Sequence, residues 1–140
     1  MGVLFGLHAV LNESAVSMVV ASIGSSAVLL YCAPAAPFSQ PRNVVGGHMF
    51  SCAVGLALRH VPYISESHLV LGPAALAGAV ALMQATNTTH PPAGATALLA
   101  TTTPLDLFFL IPVYTASVTA VATAVVVNNI IPGRRYPQFW

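Results

Sequence analysis

Thr86 to Leu99 reads TNTTHPPAGATALL: a histidine, two prolines and several small hydroxyl residues between strongly apolar segments. Proline supplies no amide donor and interrupts a helix. At membrane depth every unpaired backbone group is penalised, so irregular backbone persists only where protein or water satisfies it. Whether this stretch is a loop outside a bilayer or a break within one decides the architecture.

The surrounding composition settles the solvent. Of 140 residues, 56% are hydrophobic and 5% charged, with a mean hydropathy of +0.82, whereas a soluble domain carries about 25% charged residues. The chain has no lysine, and Arg42, Arg59, Arg134, Arg135, Glu13, Glu66 and Asp106 all fall at or near the edges of apolar runs. This pattern is that of an integral membrane protein contacting lipid. A formal charge of +1 argues against nucleic acid, which selects a basic face. Cys32 and Cys52 lie inside apolar runs and read as reduced packing residues. Met1 to Leu11 has no basic flank of the secretory type.

Apolar stretches, with Arg59 and Asp106 at their edges, place spans at about 14–33, 43–59, 69–86 and 105–128, each near the length that about 30 Å of hydrocarbon demands. Pro73 and Pro112 fall early in their spans, where a missing donor matters little. A short helix over 91–101 is too short to cross and is read as re-entrant. The expected fold is therefore all-α: a polytopic membrane bundle of about four transmembrane helices plus one re-entrant half-helix, in a single domain. Residues 1–13 read as the remnant of an upstream helix. With four crossings, Arg59, Arg134 and Arg135 share one face with both termini and Arg42 stands on the other, so the positive-inside rule puts the termini on the cytoplasmic side.

At Thr89-His90-Pro91-Pro92 the plain reading is a helix start, with a hydroxyl cap, proline in the first turn and Gly94 for close packing. The functional reading is an anion site, in which the positive end of a half-helix is helped by His90 and Thr96. SQPRNVVGGHMF (Ser39–Phe50) offers two readings as well. Arg42 either anchors to headgroups beside a Gly46-Gly47 packing surface or draws an anion to a pore mouth, with Gln40, Asn43 and His48 nearby. Gly24, Ser25 and Ser26 are either packing residues or, if GSSAVLLYCAP (24–34) and GATALLATTTP (94–104) are true repeats, a second helix break. His48 and His90 lack cysteine or carboxylate companions at ligand spacing, so no metal is expected. Neither a nucleophile elbow nor a cofactor motif appears, and no enzyme activity is expected.

Four segments in order, GSSAVLLY, SQPRNVVGGH, THPPAGATALL and GRRYP, resemble the HPP family of integral membrane proteins over about Ile23 to Pro137. That resemblance implies a small helical bundle and, from plastid and cyanobacterial members, nitrite transport in a plastid or bacterial inner membrane. Carried over by position, the motif residues are Gln40, Pro41, Arg42, Asn43, Gly46, Gly47, His90, Pro91, Pro92, Gly94, Ala95 and Thr96, with Gly24, Ser25 and Ser26 matching a small-residue motif. The family usually places a full apolar helix ahead of Gly24, where only Met1–Leu11 stands here. The expected function is transport of a small monovalent anion such as nitrite, in a homo-oligomer or with partner subunits. The alternative is a non-transporting accessory subunit of a larger membrane complex.

Overall fold

A computed structural model describes residues 13–102 and 106–140. The expected remnant over 1–13 lies, apart from Glu13, outside the described residues. Among these there are five α-helices and no strand: α1 (Glu13–Cys32), α2 (Pro41–Leu58), α3 (His68–Ala85), α4 (Ala93–Thr102) and α5 (Leu110–Ile130), with short 3-10 turns at Pro37–Ser39 and Asp106–Phe109. Among the described helices, only the stretch Leu107–Ile130 combines the length and apolarity for a crossing by itself. Its Ile111, Tyr114, Val126 and Ile130 point away from the bundle, a surface suited to lipid and not to water.

Helix ends follow local chemistry. Pro41 opens α2, where its missing amide hydrogen has no intrahelical partner to lose. Pro73 lies inside α3, beyond the first turn. At the C-terminus of α3, Asn87 adopts φ 53°, and the Asn87 and Thr88 amides donate to the Gln84 and Met83 carbonyls at 3.2 and 2.9 Å. This is a Schellman ending with asparagine in the left-handed position. α1 is continuous through Gly24, Ser25 and Ser26, so the second helix break suggested by the repeat does not form.

α2 is the central element, and small residues let the neighbouring segment press against it. A Cβ on Gly47 would stand 2.7 Å from His90 Cβ, and one on Gly46 would stand 2.8 Å from Thr88 Cγ2. Further along α2, a Cβ on Gly55 would overlap the Ala97 carbonyl. Residues 88–100 therefore run parallel to α2 along most of its length.

That path corrects the re-entrant expectation. The half-helix does not return to the end it came from. Phe109 and Val113, at the start of α5, pack with Val19 and Leu56. Val121 and Ala124, towards its finish, pack with Leu30, Val44 and Tyr136. An extended segment plus ten helical residues of α4, about 15 Å of helix at 1.5 Å per residue, thus completes a pass, and α5 runs back parallel to α1. The C-terminal tail ends beside the α1–α2 connector: Arg134 Nη1 donates to Tyr31 O at 2.8 Å and Tyr136 Oη to Ser39 O at 2.8 Å. Arg134 and Arg135 consequently share an end with Arg42, opposite Arg59, and the face assignment expected from four crossings is reversed.

A buried histidine–hydroxyl cluster as the candidate functional site

In the non-helical backbone from Thr86 to Pro92, the carbonyls of Thr86, Thr89, His90, Pro91 and Pro92 accept hydrogen bonds. Arg42 Nη2 donates to Thr86 O at 2.8 Å and Asn43 Nδ2 to Thr89 O at 3.0 Å. His90, Pro91 and Pro92 carbonyls accept the amides of Ala93, Gly94 and Ala95 at 2.9, 3.1 and 3.2 Å. These turn bonds close the first turn of α4, so those three amide hydrogens point to carbonyls of the break. Asn43 and His48, about a turn and a half apart, both face it.

Beside the break, five polar side chains from three helices and the His-Pro-Pro segment converge where apolar packing would be expected. Ser22 and Ser26 come from α1, His48 from α2, Thr96 from α4 and His90 from the break, and all five are buried. Ser26 Oγ lies 2.9 Å from His48 Nε2 and 2.8 Å from His90 Nε2. His48 Nδ1 is 2.8 Å from Thr96 Oγ1, which is 2.9 Å from Ser22 Oγ. Ser22 Oγ can also donate to Pro92 O at 3.1 Å, and Ser26 Oγ to Ser22 O at 3.2 Å. The two imidazoles meet edge to face with centroids 5.1 Å apart.

One contact sets a tautomer. His90 Nδ1 is 2.8 Å from the Phe38 carbonyl, and a carbonyl only accepts. Nδ1 therefore carries hydrogen, and in the neutral ring Nε2 presents a lone pair to Ser26.

The remaining sequence-selected residues divide by position. Gln40 is buried and engaged: its Nε2 donates to the Pro34 and Ala36 carbonyls, each at 2.9 Å, and its Oε1 accepts from the Gln138 amide at 2.8 Å. It clips the C-terminal tail to the connector. Pro41 and Gly47 are buried, and Gly94 is pressed against Leu76. Gly24 and Ser25 are exposed on α1, with nothing within 4 Å of a Cβ built on Gly24. Pro91 and Arg42 are exposed. Ala95, Ser22 and Ser25 line an open groove of about 260 Å³ between α1 and α4, with Ala21, Leu98 and Leu99.

Ser22 was not singled out in the sequence. The usable signal was its spacing of four from Ser26, which puts two hydroxyls on one helical face. Among the described residues no group of three or more His, Cys, Asp or Glu is placed to hold a metal.

With this geometry established, similarity to known proteins gives the ancestry. The chain matches the family model for the HPP transmembrane region over residues 1–137. It belongs to the HPP family. It is 33% identical over 134 residues to one transmembrane protein of Dictyostelium discoideum, covering 91% of this chain and 47% of the relative. A second Dictyostelium discoideum transmembrane protein is 38% identical over 125 residues, covering 85% of this chain and 40% of the relative. This HPP-family chain thus spans less than half the length of the curated relatives it matches. No solved structure matches it. Membership in a transmembrane family agrees with the composition: the chain is a membrane protein, all-helical in its described residues.

Proposed function

We infer that this HPP-family chain transports a small monovalent anion across a membrane, with nitrite the first cargo to test. The observation that carries the reading is the buried cluster of His48, His90, Ser22, Ser26 and Thr96 at the break. Polar side chains at membrane depth mark functional sites by default, and this cluster adjoins the positive end of a half-helix. Exposed Arg42 stands near the break and draws the anion in. Because the Ala93–Ala95 amides are engaged in turns, the anion's direct contacts are the hydroxyl of Thr96 and the imidazole N–H groups, reached as the cluster opens. Such donors compete with water without binding too tightly for release. A chain this small encloses its path together with copies of itself or partner subunits.

The test is nitrite uptake into proteoliposomes for the wild type, His90→Ala and Thr96→Ala, with helicity checked by circular dichroism. Uptake that falls at least tenfold in folded variants is the expected result. Undiminished uptake in both would overturn the assignment. A second reading, a non-transporting subunit of a larger membrane complex, is favoured by one observation. Among the described residues every buried side-chain donor and acceptor has a partner, as a purely structural core requires. It predicts no uptake by well-folded protein and fixed-ratio co-purification from native membranes.

A further inference from the structure

Counting hydrogens exposes a property of the cluster. From Pro92 O to Phe38 O there are six consecutive links: Pro92 O–Ser22, Ser22–Thr96, Thr96–His48, His48–Ser26, Ser26–His90 and His90–Phe38 O. All six measure between 2.8 and 3.1 Å, within ordinary hydrogen-bond range. Each link needs one hydrogen. Each hydroxyl brings one and each neutral imidazole brings one, so five side chains serve six links. Both ends are backbone carbonyls, which bring none. In the neutral state at least one link is without its hydrogen, wherever the hydroxyls rotate, and a second is emptied when Ser26 turns to Ser22 O.

With His90 Nδ1 donating to Phe38 O, two arrangements show the consequence. If Ser26 donates to His90 Nε2, then His48 Nε2 donates to Ser26, Thr96 to His48 Nδ1 and Ser22 to Thr96, and the Pro92 link is empty. If instead Ser22 donates to Pro92 O, Thr96 to Ser22, His48 Nδ1 to Thr96 and Ser26 to His48 Nε2, the Ser26–His90 link is empty. One added proton fills it, and His90 then donates from both ring nitrogens. Passing from the first arrangement to the second moves the gap from the Pro92 link to the Ser26–His90 link, through rotation of hydroxyls and exchange at the rings.

We propose that Ser22, Thr96, His48, Ser26 and His90 form a one-proton binding site entered from the α1–α4 groove, with the Phe38 carbonyl anchoring its far end. Ser22 lines the groove, and Phe38, which holds the other end, is exposed on the connector. The proton comes from water or from a protonated cargo in the groove and returns there, because the Phe38 carbonyl accepts a hydrogen bond but takes up no proton. Among the described residues, nothing else on the elements packed round the cluster supplies the missing hydrogen. α1 and α4 face it with hydroxyls, α3 with the Met83 thioether beside Gly47, and on α2 the Arg42 guanidinium turns to Thr86 O. In α5, Ser117 donates to its own helix at Tyr114 O. Coupling to an anion, one proton with one negative charge, rests on the transport reading above, but proton binding does not.

The measurement is nitrogen-15 NMR of histidine-labelled protein in lipid nanodiscs, first without any anion. In the alkaline limit His90 is expected to carry hydrogen on Nδ1. On acidification the His48 and His90 spectra should change with one shared midpoint and an uptake of one proton. Ser26→Ala removes the hydroxyl between the rings and should separate their behaviour. Ser22→Ala, milder because it sits at the chain's end, should weaken proton affinity several-fold while keeping the midpoint shared. Two unrelated midpoints in the wild type, or unchanged rings down to the pH at which helicity is lost, would overturn the proposal. Nitrite flux is then compared with and without a pH gradient. Uptake that ignores the gradient overturns the coupling and leaves transport standing. No uptake beside a shared midpoint removes the transport reading and leaves the proton site.

Discussion

The Tyr136 hydroxyl donates to the Ser39 carbonyl at 2.8 Å across 97 residues of chain. This contact ties the C-terminal tail to the connector between α1 and α2, and it is possible only if α5 ends where α1 ends. Gln40 reinforces it by accepting from the Gln138 amide, and Asn128 Nδ2 donates to Leu30 O at 3.0 Å. The HPP segment must therefore travel the length of the bundle between α3 and α5.

Labelling of single cysteines from one side of the membrane checks that path. In a Cys32→Ser background, Ala35→Cys and Arg135→Cys should react with an impermeant maleimide from the same side, and Glu66→Cys from the other. With Arg42, Arg134 and Arg135 at one end and Arg59 at the other, that first side should be the cytoplasmic one or its organellar equivalent. Reaction of Ala35→Cys and Arg135→Cys from opposite sides would restore the re-entrant topology.

Burial pushes the Tyr136 phenol above its ordinary range, so the folded tail favours the neutral form. The sign follows: docking is at full strength below about pH 10, the unfolded value, and weakens as pH rises beyond it towards the folded value. Proteolysis of the tail should accelerate in that alkaline window in the wild type. Tyr136→Phe should lose the pH step and show a constant destabilisation of about 1 kcal/mol.

Close approach at α2 makes Gly55 and Gly24 opposites. A methyl group on Gly55 would overlap the Ala97 carbonyl and crowd Ala100, while one on Gly24 meets nothing within 4 Å. Gly55→Ala should destabilise the detergent-solubilised protein by about 1–3 kcal/mol, as overpacking does. Gly24→Ala should be neutral or slightly stabilising because alanine is the better helix former. Thermal melts of the two variants decide it, and equal effects would contradict the packing.

Asn43→Ala leaves the Thr89 carbonyl without its side-chain donor in the half-buried break. The expected loss is about 1–3 kcal/mol, the range for an orphaned buried acceptor. Asn43→Asp should not rescue it, since a carboxylate cannot donate. Rescue by aspartate would mean that the contact is not the one holding the break.

Much of this was legible in the residues themselves. The lipid environment, the helical class and the interruption at His90-Pro91-Pro92 all follow from local composition: few charges, long apolar runs and prolines that remove donors. Backbone satisfaction in lipid leaves a chain with those runs little choice but helix. Direction and convergence were not legible. The same ten-residue α4 could return to its starting end or continue, and only glycine contacts along α2 and the docking of the tail select the second. His48 and His90 belong to elements 42 residues apart in number, joined through a serine 22 residues from one and 64 from the other. A hydrogen bond depends on positions within a few tenths of an ångström, which periodicity does not carry. Sequence determined the solvent, the secondary structure and the break; tertiary packing alone decided which buried polar groups meet, because each needs a partner from another helix once water is gone.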